Sequence, residues 1–160
     1  MTPPPIREFK GQYRFLSNFW FCHAGIWMDG EKYPCVENAY QAAKTLDFAK
    51  RRPFHEYEGG YARLSAGDAK REGKRLTLRA DWEEIKLDVM LGLVRQKFDG
   101  TDPILKHSIL QTRDAELIEG NAWNDQFWGV CRGKGENHLG KILMQVRKEI
   151  RESLGGETYV

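Results

Sequence analysis

The chain has 160 residues, a length that suits one domain able to bury its own core. Charged residues make up 30% and hydrophobic residues 41%, and a net charge of +2 neither demands nor excludes a nucleic-acid partner. No apolar run has the length of a membrane span and the Met1-Thr2-Pro3-Pro4-Pro5 start lacks a signal-peptide apolar region, so the reading is a cytoplasmic protein with no membrane partner.

Residues 1–8 read as an extended or disordered arm, because three prolines cannot form a helix interior. Phe15 to Cys22 and Ile26 to Met28 read as short strands, with Asp29-Gly30 as a hairpin turn before Glu31-Lys32-Tyr33. Pro34 suits the first turn of a helix expected from about Cys35 to Ala49. Ser65 with Asp68 opens a short basic helix to Leu76. Asp81 with Glu84 resembles a capping box, and Trp82, Ile85, Val89, Leu93 and Val94 mark one side of the helix behind it. Asp102-Pro103 starts another helix, from Ile104 to Leu110. Leu139, Ile142, Leu143, Val146, Ile150 and Leu154 form a stripe that predicts a last helix over 139–153. The fold class expected is α+β: a single, predominantly helical domain over residues 1–160, with a few short strands contributed chiefly by the first third.

Three constellations carry chemistry. In Pro34-Cys35-Val36-Glu37-Asn38-Ala39-Tyr40-Gln41-Ala42-Ala43-Lys44, a helix places Glu37, Gln41 and Lys44 on one face. A carboxylate and an ammonium there can act as base and as acid or phosphate anchor; the plainer alternative is a dipole-complementing Glu37 and a solvated Lys44. In Arg79-Ala80-Asp81-Trp82, the indole can stack on a planar base or belong to the core stripe. The tract from Gly120 to Lys141 holds two tryptophans, one phenylalanine, Asp125 and five glycines. There Asp125 sits where burial can tune its acidity, or serves as a turn residue bonded to its own backbone. The tract runs into the last helix, whose free N–H groups near Asn137, with Lys44 and Lys141, are expected to face a phosphate. Asn137 reads alternatively as that helix's N-cap. Cys22, Cys35 and Cys131 are odd in number and widely spaced, so neither a disulfide framework nor a metal site is expected, and no cofactor.

These residues resemble the NADAR, or YbiA-like, family. The matching segments are Phe15-Leu16-Ser17-Asn18-Phe19, Tyr33 to Lys44, and Arg79-Ala80-Asp81-Trp82 with Lys86, Met90 and Lys97-Phe98. Trp128-Gly129-Val130 and Asn137 to Arg147 complete them. They cover almost the whole chain in order; Cys35 stands where Thr is frequent and Tyr40 where Phe is common. The resemblance implies a hydrolase of N-glycosidic bonds to ribose, with Glu37, Trp82 and Asp125 in the functional positions. The substrate it points to first is ADP-ribosylated guanine, including the modified base in DNA. A phosphorylated ribosylaminopyrimidine intermediate of riboflavin synthesis is the alternative.

Cleavage of a C1′–N bond passes through an oxocarbenium-like cation, which a carboxylate stabilises while a carboxylate also activates water. Glu37 and Asp125 take these roles in either order, and Lys44 protonates the leaving base or holds a phosphate. Trp82, with Trp123 or Trp128, would stack on a base, and Asn121 and Asn137 would bind ribose hydroxyls. Ser17, Asn18 and Lys141 complete the expected substrate contacts. Two other classes compete. A non-catalytic ADP-ribose-binding module would not need two acids. A nucleic-acid-binding protein would use the basic stretch Lys70, Arg71, Lys74, Arg75 and Arg79.

Overall fold

The computed structural model describes residues 1–56 and 62–155. Short strands and mostly helices make up the chain, so the α+β class expected from the sequence is the one observed. Contacts divide it into two compact units, one of Asn18–Lys97 and one of Met1–Ser17 with Phe98–Val160.

In the Asn18–Lys97 unit, strands β1 (Ile26–Met28) and β2 (Glu31–Tyr33) pair antiparallel, with Met28 opposite Glu31. Asp29 and Gly30 turn the chain with φ of 51° and 81°, the two positive angles a tight two-residue hairpin needs. Helix α1 (Val36–Ala42) follows, and every one of its seven residues is buried. It packs against both strands, against α3 (Ala66–Gly73) and against α4 (Trp82–Lys97). Between α1 and α3 lie α2 (Phe48–Arg51) and a 3-10 turn, Arg52–Phe54.

In the other unit, α5 (Pro103–Gln111) and α6 (His138–Ser153) pack together. Asp102 caps α5 by accepting from the backbone of Ile104 and Leu105, with Pro103 in the first turn. The apolar stripe of α6 buries Leu139, Ile142, Leu143, Val146 and Ile150 against a core that also holds Phe98, Leu105 and Ile109. Strands β3 (Gly120–Asn121) and β4 (Val130–Cys131) pair in parallel. Among the described residues, no helix is long and apolar enough to cross a membrane.

Several elements depart from the sequence expectation. Residues 15–22 are not a strand: a 3-10 helix, Gly11–Leu16, ends in turns, with Tyr13 N bonded to Lys10 O and Ser17 N to Arg14 O. The N-terminal arm is tied down at Ile6, which is buried and bonds to Glu116 and Ile118 beside Leu117. The longer strands, β1 and β2, come from the first third as expected, and the two-residue strands β3 and β4 lie in the last. Pro34 precedes the N-terminal flank of α1 rather than occupying its first turn. The long helix expected to Ala49 stops at Ala42. Thr45 Oγ1 accepts from Asp47 N and Asp47 accepts from Ala49 N, local bonds that replace helical ones. Asp81 does not cap α4 with its side chain; it takes a forked pair of bonds from Arg79, 2.6 and 3.1 Å, which hold its carboxyl below the usual range.

Gly140 sits where a Cβ would overlap Leu117 O and the Asn137 amide. Gly140→Ala must therefore push α6 away from the 117–119 backbone. It is expected to lose about 1–3 kcal/mol of stability in urea titrations, the usual penalty for overpacking. A loss below about 0.5 kcal/mol would show that this backbone yields freely.

Candidate active site

The first group of candidate residues is built on α1. Glu37 is 7% exposed, and its carboxylate accepts a 2.8 Å bond from Gln41 Nε2, one turn on. Its backbone N–H donates to Asn18 O, 3.0 Å away, which joins the segment before the hairpin to the start of α1. Asn18 is buried, with Nδ2 3.5 Å from Met90 Sδ on α4. Gln41 is positioned in turn by α3: a Cβ on Gly73 would overlap its amide, so only glycine lets α3 approach this closely. Gln41 Oε1 is buried there without a hydrogen-bond partner.

Lys44 lies beyond the C-terminal end of α1, half-buried, with Nζ 5.7 Å from the centre of the Tyr40 ring. Its carbonyl accepts from Arg79 N, 2.8 Å away, which brings the start of α4 to the end of α1. Burial lowers the Lys44 pKa; Glu37 opposes that shift, and Lys74, Lys70 and Lys86 reinforce it. Lys44 therefore lies within electrostatic reach of one buried carboxylate and of three further lysines. Trp82 is 4% exposed, and its ring centre lies 5.1 Å from that of Tyr40. A residue that stacks on a base must expose a ring face, so in this conformation Trp82 forms the wall behind Tyr40 rather than an open platform.

The second group lies on the 119–141 segment. Asp125 Oδ1 accepts from Phe127 N and Trp128 N, at 3.3 and 3.0 Å. Oδ2 has no hydrogen-bond partner among the described residues. The Asp125 backbone is clamped by Asn121, whose Oδ1 accepts from its N–H and whose Nδ2 donates to its carbonyl. Asn137 is buried, accepts from Glu119 N and donates to Leu117 O. Both amides are thus bonded at both ends to backbone; ribose hydroxyls would have to displace those bonds. Asn137 takes φ 55° and makes no side-chain cap for α6.

The start of α6 is not the open anion site the sequence suggests. His138 N donates to Phe127 O and Leu139 N to Trp128 O, so the preceding loop already satisfies these donors. Phe127, Trp128 and His138 form an aromatic cluster, with centroids 4.9 Å apart for Phe127–Trp128 and 4.5 Å for Phe127–His138. Trp123 is 54% exposed and offers a ring to a ligand. Lys141 is exposed and Ser17 is half-buried. Ser17 and this second group belong to one unit, and Asn18, Glu37, Lys44 and Trp82 to the other.

Among the described residues, no three His, Cys, Asp or Glu side chains are placed to hold a metal ion. All three cysteines are free and buried, and burial pushes the Cys35 thiol up to about 12, which removes it as a nucleophile at neutral pH. From the sequence, Gln41 reads only as sharing the α1 face with Glu37 and Lys44, and Gly73 and Lys74 do not read as neighbours of that face. Their signal was the α1 face, which the sequence shows, combined with α3 crossing it, which the sequence does not.

Residues 7–151 match the NADAR domain family. The chain belongs to the NADAR family. It is 32% identical over 126 residues to the N-glycosidase YbiA of Escherichia coli K12, covering 78% of this chain and 75% of that protein. It is 36% identical over 145 residues to an N-glycosidase of Nostoc punctiforme, 89% and 88% of the two chains. A riboflavin biosynthesis protein of Vibrio vulnificus is 38% identical over 139 residues, but they are 86% of this NADAR chain and only 36% of that protein. The matched part of a chloroplastic riboflavin biosynthesis protein of Zea mays is smaller still, 20% of its length. The solution structure of Escherichia coli YbiA superposes with a TM-score of 0.75 at 31% identity, over 96% of this chain and 89% of that one.

Two results test the α1 group. The amide displaced by Gly73→Ala is the end of a flexible side chain, so the fold should survive while Glu37 loses its partner. Turnover is expected to fall by about tenfold or more with melting nearly unchanged, the scale of one lost charge-assisted hydrogen bond. Unchanged turnover would release Gln41 from any role at Glu37. For Lys44, folding depresses the pKa, so the unfolded chain binds the proton better between the two values. Stability therefore rises with pH across that window, and the penalty is complete below it. Lys44→Met should be more stable than wild type near neutrality, with the gap closing as pH climbs past the ordinary lysine range. A pH-independent gap in urea titrations would contradict this.

Proposed function

We propose that this protein hydrolyses the C1′–N bond between a base and a phosphorylated ribose, with ADP-ribosylated guanine as substrate. The observation that carries this reading is the buried Glu37 carboxylate, held by Gln41 and within electrostatic reach of the half-buried Lys44, which has Lys70, Lys74 and Lys86 as further neighbours. A dissociating ribosyl cation is stabilised by a fixed carboxylate in a site of reduced water access, while the phosphates of the same substrate are drawn by the surrounding cations. The family resemblance also gives Asp125 as a functional residue; it lies in the other unit, where two N–H bonds fix its Oδ1. Lys44, with a depressed pKa, is suited to giving a proton to the leaving base. Trp123 is the preferred stacking platform because its ring is exposed. Membership of the NADAR family and likeness to proteins named N-glycosidases support the reaction class.

The names of the Vibrio and maize relatives favour a second substrate, a ribosylaminopyrimidine phosphate of riboflavin synthesis. Incubation of the protein with each compound, with release of free base followed by mass spectrometry, separates the two. ADP-ribosylated guanine is expected to be cleaved faster; cleavage of the pyrimidine alone would reverse the assignment.

Glu37→Gln and Asp125→Asn are each expected to lower turnover by about 10² or more while product binding persists. A residue whose variant stays within a few-fold of wild type leaves the mechanism. Both chemical roles are filled by side chains, so turnover in EDTA should equal turnover in buffer. A loss restored by a divalent cation would show that a metal takes part.

A further inference from the structure

A second concentration of positive charge lies in the same unit, made from different residues. Glu31 of β2, Phe48 and Arg51 of α2, and Arg52, His55 and Arg63 line a cavity of about 350 Å3. None of these six belongs to the group around Glu37. The volume falls at the small end of the range for small-molecule sites. Three guanidinium groups and an imidazole face one carboxylate there, so a ligand entering meets an excess of cations.

Arg51 is the fixed element. It is 2% exposed, donating from Nε to Thr45 O at 2.9 Å and from Nη1 to Asp29 at 2.7 Å. Its guanidinium carbon lies 4.6 Å from the centre of the Phe48 ring. Nη2 has no hydrogen-bond partner among the described residues. A planar fork anchored on two sides and stacked on a ring loses little freedom when it binds an oxyanion. Arg52, next in the chain, is exposed and forms no ion pair among the described residues. His55 Nδ1 lies 3.2 Å from Glu56 O, and Nε2 is 3.8 Å from Glu31. Behind His55, the Tyr33 ring meets it edge-on at 5.9 Å, and the Tyr33 hydroxyl is buried without a partner. Phe48 is itself 54% exposed, an apolar ring at the rim of a cationic cavity.

We propose that this cavity is a second anion site that binds a phosphoryl group, gripped by Arg51 and Arg52, with the exposed Phe48 ring against the remainder of the ligand. The phosphoryl group belongs either to a free phosphorylated small molecule or to a polynucleotide backbone. This assignment stands without the hydrolase reading, since it uses neither Glu37 nor Lys44.

The test is titration of the isotopically labelled protein in the Lys44→Ala background, so that the cations around Glu37 are weakened and any response there is recognised by its position. Pyrophosphate and a ten-residue oligothymidylate are added separately and backbone amide shifts are followed by NMR. Saturable shifts of residues 48–55 are expected, and Arg52→Glu, at an exposed position, should weaken binding at least about tenfold without altering the fold. Arg63→Ala provides an independent second variant with the same expected direction. Binding of pyrophosphate with no response to the oligonucleotide makes the source a small phosphorylated molecule. Tighter binding of the oligonucleotide, falling steeply with salt and lost in Arg52→Glu, makes it a polynucleotide. No shift in this segment at millimolar concentrations of either compound, or shifts indifferent to Arg52→Glu, overturns the site.

Discussion

The bond between Glu37 and Gln41 is the interaction around which the Asn18–Lys97 unit is arranged. Helix α1 is buried on every side, yet it carries Glu37, Asn38 and Gln41. A buried polar group without a partner costs about 1–3 kcal/mol, and an isolated charge far more, so a seven-residue helix of this kind depends on partners for its polar side chains, both within the helix and outside it. Asn38 donates to Phe54 O and Leu64 O, which pins the chain on both sides of the 57–61 segment. Glu37 takes its bond from Gln41, and Gln41 is seated by Gly73. Core packing and site geometry are here the same set of contacts.

The 119–141 segment solves a different problem with the same means. It is long and nearly irregular, so its backbone groups need partners that neither helix nor sheet provides. Asn121 bonds the backbone of Asp125, Asp125 accepts from Phe127 N and Trp128 N, and Asn137 reaches Glu119 and Leu117. The first donors of α6 are satisfied by Phe127 and Trp128 carbonyls. One oxygen of the Asp125 carboxylate holds the loop through the Phe127 and Trp128 N–H groups. Asn121 fastens Asp125, and Asn137 fastens the 117–119 backbone.

Electrostatics divides the first unit into two regions. Burial depresses the Lys44 pKa, and three lysines, Lys74, Lys70 and Lys86, reinforce that against the pull of Glu37. The Arg51 guanidinium is anchored to backbone and to Asp29 and lies over the Phe48 ring. Flexible ammonium groups make an attractive field that moulds to a ligand. Anchored guanidinium forks set a geometry in advance.

Local pattern by itself determined much of this protein. The 3.6-residue stripe of α6, the Asp102-Pro103 start of α5, the Ser65 cap and the Asp29-Gly30 turn are all observed, because each depends only on neighbours in the chain. The motif residues also placed the chain in its family before any coordinates were needed, and the α1 face of Glu37, Gln41 and Lys44 was readable from helical spacing. The rest depended on partners distant in sequence. Phe15–Cys22 has the composition of a strand but finds no strand to pair with, and it turns instead. The free helix end expected near Asn137 is closed by carbonyls from eleven residues earlier in the case of His138 and Phe127. Trp82 could be read as platform or core, and only the approach of Tyr40 decided for burial. Periodicity records which way a side chain faces. Whether that face meets solvent, a ligand or another helix is set by tertiary packing, which no local pattern contains.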